Sequence, residues 1–256
     1  MLQLPVTPSF SLDGKRALIT GGSKGLGLAC GAALASAGAE VTLVARNKAE
    51  VEEAAEAIRA AGGKASGVSL DVTDVEATAA WVETQPAFNI LVNNAGTNRP
   101  GPFLEVTVKN YDDIFAVNTR AAFFLTQAVA RKMIEEGAKG SIITMSSQMG
   151  HIGAAMRTIY CASKYAVEGF TRAAAAELGP HGIRVNTIAP TFTETPMTKP
   201  FFENKEFSDW VMTKIKIGRI GKMEDIMGAV LYLASDASAL MTGSSLMLDG
   251  GWTGTS

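Results

Sequence analysis

Three residues in the middle of the chain have the types needed to move a proton at a carbonyl oxygen: Ser147, Tyr160 and Lys164. A run from Tyr160 to Leu178, rich in Ala and stopped by Gly179-Pro180, is predicted to be helical. Positions 160 and 164 are one turn apart on that helix, so both side chains lie on one face. A free tyrosine ionises near pH ~10, and a neighbouring cation favours its phenolate, which brings it toward use as an acid or base at neutral pH. Ser147 follows a short apolar, β-branched stretch, Ser141 to Met145, that reads as a buried strand. Its hydroxyl, opposite the phenol, can hold a carbonyl or alkoxide oxygen. Ser146 is adjacent, but neighbours on an extended segment point oppositely, and spacing to Tyr160 selects Ser147. Taken alone, Tyr-x-x-x-Lys is also the spacing of two ordinary helix residues.

The elements that must position these groups alternate along the chain. Lys15 to Thr20 reads as a strand, followed by Gly21-Gly-Ser-Lys-Gly-Leu-Gly27 and an Ala-rich helix ended by Gly38. Strand, glycine loop and helix form a phosphate-binding unit: glycines permit a tight turn and close approach, and the helix N-terminus favours an anion. The spacing Gly-x-x-x-Gly-x-Gly differs from Gly-x-Gly-x-x-Gly, and Leu28 stands where a P-loop needs lysine. A plain glycine-rich turn is the alternative. Further strands are predicted at 40–45, 65–70, 89–92, 183–189 and 245–248, with helices at 48–61, from Asp74 to about 84, at about 107–136 and at 222–235. Asp74 reads as the cap of its helix, which leaves Asp71 as the better candidate for touching an adenine. Asn93-Asn-Ala-Gly96 makes another tight turn at a strand's C-terminal end, where open parallel sheets bind ligands. Asn118 in mid-helix is unfavourable unless its amide has work, either chemical or in satisfying backbone at a kink. The alternation predicts an α/β fold: a single-domain, Rossmann-type, doubly wound parallel sheet with helices on both faces.

Composition removes other classes. The chain has 256 residues, 47% hydrophobic, with a formal charge of −2 from 23 basic and 25 acidic residues. The basic residues are scattered, so neither nucleic acid nor a membrane surface is an expected partner. No apolar run approaches the ~20 residues of a membrane span, and the segment 1–11 lacks the pattern of a secretory signal. Two cysteines, Cys30 and Cys161, give no disulfide framework and point to a reducing cytoplasm. His151 and His181 lack metal-ligand spacing, and no metal is expected.

Together these motifs resemble the short-chain dehydrogenase/reductase family: Thr20 to Gly27, Asp71-Val72, Asn93 to Gly96, Asn118, Ser147, Tyr160-x-x-x-Lys164, Pro190 and Thr195. The resemblance runs from about residue 12 to 251. It implies an oxidoreductase that transfers hydride between a nicotinamide and a carbonyl or secondary alcohol, with Asn118, Ser147, Tyr160 and Lys164 as a catalytic tetrad. Tyr160 would be the general acid/base and Ser147 would position the carbonyl. Lys164 would lower the phenol's pKa and bind the nicotinamide ribose, and Asn118 would hold a relay water. Cofactor contacts would come from Gly21, Ser23, Lys24, Gly25, Leu26, Gly27, Arg46, Asn47, Asp71, Val72, Asn94, Ala95, Gly96, Pro190, Phe192 and Thr195, besides Tyr160 and Lys164. Thr195 would touch the carboxamide, and residues 94–96 would flank the adenosine half. The family usually has Gly after Pro190; here Thr191 reshapes the nicotinamide end. A homotetramer is also implied.

The cofactor is expected to be NADP, with NADPH preferred over NADH. Where NAD-binding relatives carry an acidic residue at the end of the second strand, this chain has Ala45, followed by Arg46, and Lys24 adds a second cation. Substrate-facing candidates are Thr97, Asn98, Arg99, Gln148, His151, Ile152, Arg157 and Phe192. Their polarity points to a sugar, sugar acid or polyol, unless they are solvent-facing loop residues. Phe201, Phe202, Phe207 and Trp210, within an expected substrate lid at about 191–217, either cover the site or pack that segment down. A 3-oxoacyl-thioester reductase is the alternative within the family, and a non-catalytic dinucleotide sensor or scaffold the alternative of another class.

Overall fold

A computed structural model of the chain describes residues 2–255. In chain order it builds β1 (Arg16–Thr20), α1 (Gly25–Ser36), β2 (Glu40–Ala45), α2 (Lys48–Ala60), β3 (Lys64–Ser69), α3 (Val75–Glu83) and β4 (Ile90–Asn93). Then come α4 (Val108–Phe115), α5 (Ala122–Glu135), β5 (Gly140–Met145), α6 (Thr158–Leu178), β6 (Ile183–Pro190), α7 (Lys199–Phe202), α8 (Lys205–Lys214), α9 (Met223–Ala234) and β7 (Ser245–Leu248). The seven strands form one sheet in the order β3-β2-β1-β4-β5-β6-β7, and every pairing is parallel.

Strand side chains alternate between the two faces. On β1, Ala17 and Ile19 join a core with Cys30 and Leu34 of α1, Ile58 of α2 and Leu233 of α9. Leu18, between them, joins the opposite core with Val82 of α3, Met133 of α5 and Ala175 of α6. The strand order reverses between β1 and β4. The loops leaving these two strands therefore diverge to opposite faces and open a crevice at the strands' C-terminal ends.

Predicted strand boundaries agree with the structure to within about one residue, and Asp74 caps α3 by accepting from the Ala77 N–H at 3.0 Å. The long helix predicted over 107–136 is not one α-helix. Residues Ala116–Ala121 form a π-turn between α4 and α5, centred on the buried Asn118. Such turns are frequent at functional sites, and this one carries the Asn118 side chain to Thr97 and Ser163. The predicted lid is two helices, α7 and α8, followed by a return strand contact between Thr193 and Gly221.

Candidate active site

The crevice is a cleft of about 830 Å³ running from the glycine loop past β4 to the C-terminal ends of β5 and β6. At one end, the chain staples its own switch point. The Thr20 hydroxyl accepts from the Asn94 and Ala95 N–H groups at 3.0 and 3.1 Å. The Asn94 amide donates to the Thr20 and Gly21 carbonyls at 3.0 and 3.2 Å. Gly27 sits beneath this staple, where a Cβ would come 2.1 Å from the Gly21 oxygen and 2.5 Å from the Asn94 amide nitrogen. Gly21 has φ +64°, a left-handed conformation glycine adopts without strain. The first turn of α1 carries no acidic residue and no side-chain cap, so its N–H groups face the cleft uncommitted to side chains. This cradle fits a pyrophosphate. Gly21, Ser23, Lys24, Gly25 and Leu26 would hold it, with Gly27 buried behind them.

Farther along, Arg46, Asn47, Asp71 and Val72 line the cleft, as do Asn94 to Gly96. Asn47 is committed through its side-chain oxygen, which caps α2 by accepting from the Ala49 and Glu50 N–H groups. One Asp71 oxygen accepts from the Thr73 N–H and hydroxyl at 3.0 and 2.8 Å. The expectation of two cations with no carboxylate needs correction. Glu50, in the first turn of α2, lies in the cleft 3.3 Å from the Lys24 ammonium and also accepts from the Ser23 hydroxyl. Arg46 is exposed, whereas Lys24 is already paired.

The chemical end gathers Ser147, Tyr160 and Lys164 on one cleft wall, with Asn118 behind it. Lys164 is 5% exposed, and its ammonium donates to the Met145 carbonyl at 2.7 Å. Burial pushes its pKa down to about 8, against the pull of Glu168 one turn farther along α6. Lys164 lies 5.6 Å from the centroid of the Tyr160 ring. The sequence argument that this cation lowers the phenol's pKa is not what the geometry shows. Burial raises the Tyr160 pKa, opposed by the Ser147 hydroxyl and the charge of Arg157. Asn118 accepts from the Thr97 N–H at 2.8 Å and donates to the Thr97 carbonyl and the Ser163 hydroxyl at 3.0 and 3.1 Å. It clamps the loop after β4 to the helix carrying Tyr160.

The substrate-facing candidates divide. Thr97, Asn98, Arg99, Gln148, Arg157 and Phe192 line the cleft. His151 does not: its ring turns to Ser245 and to the buried carboxylate of Glu168, at 3.1 and 3.2 Å. Ile152 packs into a small apolar core with Val211, Ile215 and Trp252. Phe192, Phe202 and Phe207 join that core and Trp210 stacks on its edge, so these aromatics pack the 199–214 segment down. Phe201 instead reaches the cleft and meets the Arg157 guanidinium at 4.9 Å. Beside it the cleft wall holds buried polar atoms with no hydrogen-bond partner among the described residues: Asn98 Oδ1, both ends of the Gln148 amide, Arg157 Nη1 and the Thr191 hydroxyl. Sequence reasoning missed Glu50 and Glu168. Glu168 had a signal, being one turn beyond Lys164 on the same helix face.

A parallel doubly wound sheet, a dinucleotide cradle at its switch point and a Ser–Tyr–Lys wall beside it define a nucleotide-dependent oxidoreductase. Residues 21–253 match the family model described as enoyl-(acyl carrier protein) reductase. The chain is 40% identical to gluconate 5-dehydrogenase of Gluconobacter oxydans (strain 621H), covering 95% of this chain and 96% of that one. It is also 40% identical to D-erythrulose reductase of Gallus gallus, covering 96% and 98%. A crystal structure of a gluconate 5-dehydrogenase from Burkholderia cenocepacia J2315, in complex with NADP and tartrate, superposes with a TM-score of 0.93 at 34% identity, over 96% of this chain and 98% of that one. The chain belongs to the short-chain dehydrogenase/reductase family, and it is an enzyme acting on CH–OH and C=O groups.

Proposed function

We propose that the protein is an NADP(H)-dependent oxidoreductase of a small polyhydroxylated substrate, a sugar, sugar acid or polyol. The observation that carries this reading is the set of partnerless polar atoms on the cleft wall beside Tyr160: Asn98, Gln148, Arg157 and Thr191. Buried polar groups are costly unless hydrogen-bonded, and a small turn of these side chains toward a substrate rich in hydroxyls pairs them where an acyl chain does not. Relatives named for gluconate and erythrulose, and a neighbour holding tartrate, agree with that chemistry.

In this reading Tyr160 donates a proton to the carbonyl oxygen during reduction and takes it back during oxidation, while Ser147 holds that oxygen in place. The nicotinamide supplies or accepts the hydride. Lys164, anchored to the Met145 carbonyl, presents its remaining donors to the ribose. Asn118 keeps the Thr97 loop against α6 with its side chain, which leaves its main chain in the π-turn to order the relay water. Pro190, Phe192 and Thr195 border the nicotinamide end, and segment 191–217 of a single 1–256 domain forms a lid through which Phe201 reaches the substrate. Arg46 favours the 2′-phosphate of NADP. The assembly is a homotetramer in the cytoplasm. No helix among the described residues is long and apolar enough to cross a membrane.

The test is a panel of ketoses, sugar acids, polyols and acetoacetyl thioesters, with loss or gain of nicotinamide absorbance as the readout. Turnover of the hydroxylated compounds supports the reading. Turnover of the thioesters alone makes the protein a 3-oxoacyl reductase, and no turnover with intact NADPH binding makes it a sensor.

A further inference from the structure

Two arginines, Arg99 and Arg157, border the substrate end of the cleft, and the sequence does not distinguish them. The structure does. Arg99 is bound to Asp113 at 2.6 Å and to the Asn110 side chain at 3.0 Å, which ties the loop after β4 to α4. Arg157, at the N-terminus of α6, is half-buried and has no ion pair among the described residues. Its contact is with the face of Phe201; Nη1 is buried without a partner, and the residue lines the cleft. The carboxylates lining the cleft are all committed elsewhere: Glu50 to Lys24, Asp71 to Thr73, and Asp113 to Arg99 and Lys109.

A desolvated cation without a counter-ion is an unfavourable arrangement that a ligand anion relieves. We propose that Arg157 is the specificity residue that binds a carboxylate of the substrate, making the protein selective for hydroxy acids over neutral polyols. The proposal rests on the reading of the cleft as a polar-substrate oxidoreductase site.

Three features define the anion. First, Arg157 stands one turn from Tyr160 and acts on its charge, so the anion belongs to the same small molecule as the reacting carbon. Second, of the three cations at this end of the cleft Arg157 alone has no hydrogen bond or ion pair among the described residues, since Lys164 donates to Met145 and Arg99 holds Asp113. A planar guanidinium edge suits bidentate pairing with a carboxylate. Third, Gln148 is 1% exposed with both amide ends unpaired and lines the same wall. A rotation that brings this buried amide to the cleft surface lets it donate to a carboxylate oxygen and accept from the adjoining hydroxyl, a pair of demands that a 2-hydroxy acid meets at once.

The test uses binding, so it does not depend on turnover. D-Gluconate and D-glucitol share a six-carbon hydroxylated chain and differ at C1, carboxylate against CH2OH. Calorimetric titration of each into NADP-saturated protein should show gluconate binding about ten- to a hundredfold tighter, the worth of one charge-assisted contact. Arg157→Met keeps an apolar side chain against Phe201, and should bring gluconate down to the affinity of glucitol. Arg157→Lys should recover part of the difference, as a cation without the fork. Wild-type protein that binds the two compounds equally overturns the proposal, and so does Arg157→Met with undiminished preference for gluconate. If Arg157→Met fails to fold, the wild-type ratio and Arg157→Lys decide. Absence of any NADP-linked oxidation of bound gluconate would count against the oxidoreductase reading and leave the carboxylate site standing.

Discussion

The Lys164 ammonium donates to the Met145 carbonyl at 2.7 Å, so helix α6 is fastened to the end of strand β5 from inside the catalytic wall. That bond helps to hold Tyr160 on the helix against Ser147 on the loop that leaves the strand. A buried lysine in that position has a cost, visible in its pKa of about 8.

That cost gives a pH signature. The folded pKa lies below the unfolded value of about 10.4, so between about pH 8 and pH 10.4 the unfolded chain binds the proton and the folded chain does not. Stability from this group therefore rises with pH across the window, and below it the full penalty of burying the charge is present. Compared with Lys164→Met, wild-type protein should gain about 3 kcal/mol over that window. Denaturant unfolding of both proteins at several pH values checks this, and a difference that is flat with pH refutes it.

Tyr160→Phe should abolish turnover and leave NADPH binding largely intact, since the change removes the ionisable proton and keeps the ring. Steady-state rates with fluorescence titration of NADPH measure both. Retention of most of the activity would remove Tyr160 from the role of acid/base.

The proposed preference for NADPH rests on Arg46, since Lys24 is paired with Glu50. Arg46→Ala should raise the KM for NADPH about ten- to a hundredfold and leave NADH nearly unchanged. Glu50→Gln should tighten NADPH binding by releasing Lys24 and removing a like charge from the phosphate's surroundings. A wild-type enzyme that uses NADH as efficiently as NADPH defeats both expectations.

Helices α5 and α6 carry Phe123, Phe124 and Tyr165 at the surface, each more than a third exposed. Phe123 meets Phe170 edge-on at 5.7 Å across the two helices, so these rings form a joint apolar face. Such a face suits a two-fold contact with a second copy. Sedimentation should show a tetramer, and Phe123→Glu with Phe124→Glu should dissociate it. A wild-type monomer at micromolar concentration would be incompatible with this.

The alternation of apolar strands with Ala-rich helices determined the parallel sheet and its two cores, because periodicity is a local property that packing then reads out. The glycine spacing at 21, 25 and 27 likewise determined a cradle, since Gly27 occupies a place where a Cβ would collide with the Gly21 carbonyl. The shared face of Tyr160 and Lys164 followed from helical geometry alone. Which polar groups stay available was decided only in three dimensions. Lys24 meets Glu50 across 26 residues, Asn118 reaches Thr97 across 21, and each encounter withdraws a side chain that the sequence offered as free. His151 faces away from the cleft because Glu168 draws it inward, and Arg99 is lost to Asp113 while Arg157 is not. The sign of the Tyr160 shift was decided the same way: a neighbouring cation can be counted from spacing, but desolvation depends on everything packed around the phenol.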